Sequence, residues 1–365
     1  MAVGLVAAWG LSSGLVACRS GAPARTPSGL QKVRVPEATP EAQQAFEEGL
    51  RHLALGPQHH EAARTALTRA VTLDPDLYEA WHDLGVIEMR RGRWQASVDA
   101  FAHALKVQPA SRSSLLGLGH ALMKLSRGDR AHKTFERWLA EMPEDREVRF
   151  AYIAALREGG EGLRALEQVR ALLAKNSKDA EAFNALGLVY RKLGRPRLAE
   201  TAFKRALELD PKAAFVWNNL GLLALDRGDD PGAFAAFARA TELDTTYVVS
   251  WVNQAVVYLD SGAYDKAFAA LERAVATQPD DADLQVALGV ALRGLGRFDE
   301  AAVAYGRALD LHPDFPPALY NLGVLYMDHK EDPQKAKEAL LLFAKVAPDK
   351  DPKRDDVKFR LRTLR

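Results

Sequence analysis

The chain has 365 residues, with 49 basic and 48 acidic side chains and a formal net charge of +1. This balance gives no whole-molecule field for holding nucleic acid or an acidic substrate. The single cysteine excludes an internal disulfide and the paired cysteines of a zinc finger, and the length suits two or three compact domains or one elongated repeat array.

Residues 1–17 are uncharged, apolar and rich in small side chains, and no Lys or Arg precedes Arg19. Seventeen residues are marginal for spanning a hydrocarbon core of roughly 30 Å. They fit the apolar region of a secretory signal, which ends in small residues before the cleavage point. We therefore expect residues 1–17 to be a signal peptide.

The four residues Leu15-Val16-Ala17-Cys18 resemble the lipobox of bacterial lipoproteins. That resemblance implies cleavage before Cys18 and lipidation of this residue. Arg19 follows the cysteine, and the sorting rule of enteric bacteria then implies a lipid-anchored protein of the outer membrane that faces the periplasm. The alternatives are an ordinary cysteine in a discarded signal and a plain membrane anchor.

Residues 18–40 are expected to comprise the lipidated cysteine and a flexible linker. Residues 19–40 contain four prolines and two glycines and show little apolar periodicity. A flexible chain of this length reaches about 25 Å on average. Such a linker would hold a folded body just off a membrane.

A period of 34 residues organises residues 41–348. Prolines recur with this spacing at 75, 109 and 143, and glycines recur on the same period at 85, 119, 187, 221, 289 and 323. A fixed period of this length is typical of a repeat protein.

One period, residues 217–244, shows why each repeat should be a pair of helices. Trp217, Leu220, Gly221 and Ala224 lie on one helix face, and Ala233, Phe237 and Ala240 form the apolar face of a second helix. Gly228 can end the first helix in a left-handed conformation, and Pro231 is tolerated in the first turn of the second. Small residues on both faces let the two helices approach.

These repeats resemble the tetratricopeptide repeat (TPR), for example Phe183-Leu186-Gly187-Tyr190 followed by Ala199, Phe203, Ala206 and Pro211. The resemblance implies an all-α, right-handed superhelical solenoid of about nine helix pairs. The fourth unit departs from the pattern, because Ile153 replaces the glycine and Val169 the aromatic residue. Residues 349–365 carry Val357, Leu361 and Leu364 at helical spacing and are expected to form a C-terminal capping helix.

No residue pattern indicates an enzyme. Nucleophile motifs are absent, and the GxG sequences at Gly119 and Gly296 are better explained as a helix-packing glycine and a turn. His82 and His120 are expected on the inner surface near Glu79 and Asp83, but a metal site there would need three or four converging ligands. We predict no catalytic residue, metal site, cofactor or small-molecule substrate.

The first helices of stacked repeats line a concave groove in such solenoids, and this groove is the predicted site for protein or peptide partners. Asn219, Asn253 and Asn321 share one repeat position, where they either clamp a peptide backbone or simply follow the TPR consensus. A second row carries Met89, Met123, Arg157 and Arg191 in the first half, where methionine offers adaptable apolar contact. A neighbouring row is basic in the first half and acidic in the second half, where its members are Asp226, Asp260 and Asp328, and this polarity is expected to orient a ligand.

The predicted function is that of a non-enzymatic, lipid-anchored scaffold that recruits or assembles a cell-envelope complex. The chain is similar to the TPR lipoproteins of type IV pilus assembly or of myxobacterial gliding motility. The alternative is an outer-membrane adaptor that docks and regulates cell-wall hydrolases.

Overall fold

The computed structural model describes residues 38–364, which are helical and contain no β-strand. The chain divides into two units between Pro211 and Lys212. Residues 1–37, which include Cys18 and most of the predicted linker, lie outside the described residues. Among the described helices, none is both long and apolar enough to cross a lipid bilayer.

The N-terminal unit, described from residue 38 to 211, contains five helix pairs. Each first helix packs on the second helix of its own repeat. A short 3-10 turn, Pro57–His59, lies between the two helices of the first repeat. The helices are α1 Pro40–Ala54, α2 His60–Leu73, α3 Tyr78–Arg90, α4 Trp94–Val107, α5 Arg112–Lys124, α6 Gly128–Glu141, α7 Arg146–Glu158, α8 Gly162–Lys175, α9 Ala180–Lys192 and α10 Pro196–Leu209.

The C-terminal unit, described from residue 212 to 364, contains four further helix pairs and a terminal helix. Within residues 38–364 this confirms the prediction of an all-α chain with nine helix pairs and a final helix. The helices are α11 Ala214–Leu225, α12 Asp230–Leu243, α13 Val248–Asp260, α14 Tyr264–Thr277, α15 Ala282–Gly294, α16 Phe298–Leu311, α17 Pro316–Asp328, α18 Pro333–Val346 and α19 Arg354–Thr363.

In several repeats, the two helices approach closely because a glycine of the first faces an aromatic ring of the second. A Cβ atom at Gly221 would lie 2.5 Å from the Phe237 ring, and one at Gly119 would lie 2.2 Å from the Phe135 ring. Real Cβ atoms do not come so close, so any larger residue would push the helices apart. Gly296 has a φ of +73°, which confirms its assignment to an inter-helix turn.

The fourth repeat keeps its helix pair although it lacks both the glycine and the aromatic residue. Ile153 and Val169 are buried in the same apolar cluster, with Leu172 beside them. On α7, Ile153 is larger than the glycine of other repeats, and on α8, Val169 is smaller than their aromatic residue. The two changes offset each other, so the core keeps a similar total volume. The degenerate sequence is a change of packing and leaves the helical fold unchanged.

Helix α19 covers the end of the last repeat, as the spacing of its apolar residues predicts. Val357 is fully buried in a cluster with Leu340 and Phe343 of α18, and Leu361 and Leu364 pack against that cluster. Without α19 this apolar surface would be exposed to water, so the helix acts as a cap.

Candidate partner-binding surface

The first helices of successive repeats lie side by side within each unit. In the N-terminal unit α3 contacts α5, α5 contacts α7 and α7 contacts α9; in the C-terminal unit α11 contacts α13 and α15 contacts α17. We call the exposed side of these helices the first-helix surface. The 34-residue period places the members of each predicted row at equivalent points on it.

In the N-terminal unit, Met89, Met123, Arg157 and Arg191 occupy the last turns of α3, α5, α7 and α9, and all four are half-buried. The Arg157 side chain is only 13% exposed, and its Nη2 lies 2.8 Å from Oε1 of Glu158. Glu158 belongs to the same row as the exposed bases Arg90, Lys124 and Lys192. The basic row is therefore interrupted by an acid, and Arg157 is partly neutralised by it.

In the C-terminal unit, Asp226 and Asp260 are exposed at the ends of α11 and α13. Asp328, at the end of α17, accepts two hydrogen bonds from Nη1 of Arg360 at 2.8 and 2.9 Å. Arg360 belongs to α19, so the capping helix engages the third aspartate of the row.

The three asparagines of the predicted row are engaged in contacts within the chain. Asn219 is only 8% exposed. Asn253 donates from Nδ2 to Oδ1 of Asn218 at 2.8 Å, and Asn321 donates from Nδ2 to the backbone carbonyl of Pro317, also at 2.8 Å. An amide offers two donor hydrogens and an acceptor, so one such bond does not exhaust its capacity.

A titratable group lies on α3 of the N-terminal unit, at the repeat position that the asparagines occupy in the C-terminal unit. Burial raises the pKa of the Asp83 carboxyl to about 6; the neighbouring Glu79 carboxylate adds to this rise and Arg90 opposes it. Burial also lowers the pKa of the His82 imidazole, whose Nδ1 lies 2.9 Å from Oγ of Ser114. His120 packs edge-on against Trp94 with ring centroids 5.9 Å apart, and burial lowers its pKa.

Within residues 38–364, one group of three potential metal ligands lies away from the first-helix surface: Asp129, His132 and Glu161. These three residues were not predicted as a site from the sequence. A comparison of equivalent positions in the 34-residue period does mark the site. Glu161 holds a position that is occupied by Arg93, Arg127 and Arg195 in other repeats.

Two family models match the chain. The model described as "Cilia and flagella-associated protein 70 middle TPR-like domain" matches residues 42–209, and a tetratricopeptide-repeat model matches residues 184–247, 252–314 and 286–354. Both models describe TPR or TPR-like sequence, and together they extend from residue 42 to 354. A comparison with curated proteins gives no match.

Several solved structures are similar in fold. PilF of Pseudomonas aeruginosa is 19% identical, with 60% of this chain and 98% of that chain covered and a TM-score of 0.50. YrrB, described as "a TPR protein with an unusual peptide-binding site", is 22% identical over 53% of this chain and 97% of its own, with a TM-score of 0.45. MamA of Desulfovibrio magneticus RS-1 is 24% identical over 46% and 92%, with a TM-score of 0.41. At these identities the likeness concerns the fold alone.

Proposed function

We propose that this chain, a tetratricopeptide-repeat protein, is a scaffold of the cell envelope that holds a protein or peptide partner on its first-helix surface. Lipid at Cys18 would anchor it to the outer membrane on the periplasmic side, and residues 19–40 would act as the tether. The complex it serves is proposed to be a pilus or a gliding-motility machine, following the resemblance of the lipobox and repeats to such lipoproteins.

The observation that carries the binding proposal is the pair of exposed aspartates Asp226 and Asp260, one repeat apart in the C-terminal unit. Two like charges at equivalent points on adjacent repeats form a surface that favours a partner with basic side chains in an extended segment. On the first-helix surface of the N-terminal unit, the neighbouring row carries Met89 and Met123, and methionine offers adaptable apolar contact. Each of these surfaces suits recognition of a polypeptide better than of a small rigid ligand.

The test is capture of envelope proteins by the full-length chain and by a variant with Asp226→Lys and Asp260→Lys. We expect the variant to lose most of the captured partner at about 50 mM salt, because charge complementarity is screened at higher ionic strength. A matched control, Asp265→Lys with Glu272→Lys, makes the same charge change on the second helix α14, where both residues are exposed. Equal capture by both variants would refute a role for the first-helix surface.

The identity of the captured proteins tests the rest of the proposal. Pilus secretin or motility subunits would support it, whereas cell-wall hydrolases would favour the adaptor function in its place. For the anchor, Cys18→Ala should abolish incorporation of labelled palmitate and release the protein from the membrane fraction. A variant that stays labelled and membrane-bound would show that the lipobox assignment is wrong.

A further inference from the structure

The third and fourth repeats contain a cluster that neither partner binding nor helix packing explains. Asp129 and His132 lie three residues apart in the first turns of α6, and Glu161 is the residue that precedes α8. One ligand atom from each of the three side chains lies within 4.8 Å of the other two. The cluster connects the second helix of one repeat with the inter-helix turn of the next.

The degenerate sequence of the fourth repeat creates the space for this cluster. Position 159 is Gly, whereas the equivalent residues in three other repeats are Leu125, Leu193 and Leu295. A Cβ at Gly159 would lie 3.4 Å from Cε1 of His132, so the imidazole occupies the place next to this turn. At its own repeat position, His132 replaces apolar residues such as Val98 and Leu166. A polar ring thus stands where the repeat pattern calls for an apolar side chain.

His132 is only 3% exposed, and neither ring nitrogen has a hydrogen-bond partner among the described residues. Its Nδ1 does lie 2.8 Å from Oε1 of Glu161, but the two atoms do not have the geometry of a hydrogen bond. A buried polar atom without a partner costs free energy, so an arrangement of this kind calls for a ligand.

A metal ion accounts for this geometry. An ion placed about 2.1 Å from both Nδ1 and Oε1 would see these atoms at an angle of roughly 85°, since they are 2.8 Å apart. The ring lone pair would then point at the ion and not at the oxygen, which agrees with the lack of hydrogen-bond geometry between Nδ1 and Oε1. An angle near 90° suits adjacent positions around a five- or six-coordinate ion, and the exposed Asp129 would leave room for water as further ligands.

We infer that Asp129, His132 and Glu161 bind a first-row divalent transition-metal ion of the Zn²⁺ class, which clips the third repeat to the fourth. One imidazole nitrogen and two carboxylate oxygens favour such an ion over Mg²⁺, which prefers oxygen ligands alone. The site is separate from the first-helix surface and does not depend on the proposed partner.

Arg164 competes with the ion for the same carboxylate. Its guanidinium contacts Oε2 of Glu161. It also donates hydrogen bonds to Oε1 of Glu136 and to the hydroxyl of Tyr152. In the absence of an ion, this guanidinium supplies the positive charge that Glu161 faces. Removing it should strengthen cation binding, whereas removing a ligand should weaken it. These opposite signs distinguish a metal site from general loss of packing.

The experiment measures Zn²⁺ binding by calorimetry and the shift of the melting temperature, with Mg²⁺ as the comparison ion. The full-length chain carries Cys18→Ser throughout so that no thiol competes for the metal. Asp129→Asn changes an exposed side chain and should weaken Zn²⁺ binding about tenfold or more, and Glu161→Gln should do the same. Arg164→Gln should bind Zn²⁺ more tightly than the parent.

Asp265→Asn is the matched control, because Asp265 holds the same repeat position in α14 as Asp129 does in α6 but has Phe268 in place of the histidine. It should keep the Zn²⁺ response of the parent. A parent chain without any response to 1 mM Zn²⁺ would overturn the inference, and so would an equal response from Asp129→Asn. If Glu161→Gln fails to fold by circular dichroism, the exposed Asp129→Asn variant decides the outcome.

Discussion

The two units of the chain use the same helix pairs but join successive repeats with different side-chain chemistry. In the N-terminal unit, the residues before α5, α7 and α9 are Ser111, Asp145 and Asp179, and all three are buried. Each accepts a hydrogen bond from the start of its own helix. Each is also contacted by the first residue of the preceding first helix: Tyr78, Arg112 and Arg146, at 2.6, 2.9 and 2.6 Å.

The C-terminal unit lacks this series over its described residues. The residues before α11, α13, α15 and α17 are Ala213, Tyr247, Asp281 and Phe315, and of these only Asp281 accepts a bond from its own helix through its side chain. The residues that begin the same helices are Ala214, Val248, Ala282 and Pro316. A buried amide joins α11 to α13 instead, since Oδ1 of Asn218 accepts from Ser250 and Asn253.

The difference shows that the repeat pattern determines how the helices pack. It does not determine which polar side chains connect one repeat to the next. A carboxylate that both caps a helix and holds an arginine is a charged link, whereas a shared amide is a neutral one. Salt should therefore act more strongly on the N-terminal unit than on the C-terminal unit.

Loss of a buried helix cap should show the largest difference in stability between the two units. Asp145→Ala removes the helix cap, the partner of Arg112 and the acceptor of the buried Trp138 indole N–H, which lies 2.9 Å from Oδ2. We expect a loss of about 2–4 kcal/mol in unfolding free energy. Asp281→Ala removes a helix cap and an electrostatic interaction with His312, and should cost about 1 kcal/mol. Hydrogen exchange of α7 and α15 measures each locally, and equal protection losses would contradict the comparison.

The two units should also differ in how their stability depends on pH, because Asp83 holds the repeat position that asparagines hold in the C-terminal unit. The pKa of Asp83 is raised to about 6, so the folded state retains a proton between about pH 4 and pH 6 that the unfolded state has lost. Ionisation of the Asp83 carboxyl therefore lowers the unfolding free energy as pH rises through this window. The full loss of stability is present above this window. Asp83→Asn should stabilise the chain by about 1 kcal/mol at pH 7.5, allowing for partial exposure, and by nothing at pH 4.

The reverse change, Asn219→Asp, is the counterpart in the C-terminal unit. It places a carboxyl at a site that is 8% exposed and should destabilise the chain at pH 7.5 more than at pH 4. Thermal melts across this pH range provide the measurement. A stabilisation by Asp83→Asn that persists unchanged at pH 4 would mean that the charge of Asp83 is not its cause.

Much of this fold follows from the sequence, because the 34-residue period reports the contacts made within each repeat. A glycine such as Gly221 opposite an aromatic residue such as Phe237 recurs in several repeats, because the small residue on one helix makes room for the large one on the other, and the structure confirms this pair. Val357 likewise predicts the capping helix through its spacing alone. Such contacts depend on residue size and periodicity, which a single sequence displays directly.

The links between side chains of different repeats could not be predicted in the same way. That Arg112 reaches Asp145, or that Arg360 reaches Asp328, depends on the rotamers of long side chains and on the distance between helices. His132 was hidden for another reason, since a lone histidine in a helix carries no pattern of its own. Its site is marked only by two departures from the repeat pattern. Gly159 stands where other repeats have Leu, and Glu161 stands where other repeats have Arg.

The smallest expected effect concerns the arginines of the charged link. Arg146→Met keeps the apolar stem but removes the guanidinium that contacts Asp179 and Glu181. Because the Arg146 side chain is 44% exposed, solvent screens the pair and the loss should be about 0.5–1 kcal/mol, shrinking further in 0.5 M salt. Arg239→Met removes an exposed pair with Glu242 inside the single helix α12 and should cost less. Urea titrations at low and high salt compare the two variants. If Arg239→Met proves as costly and as salt-sensitive as Arg146→Met, the contact between repeats adds nothing beyond an ordinary surface ion pair.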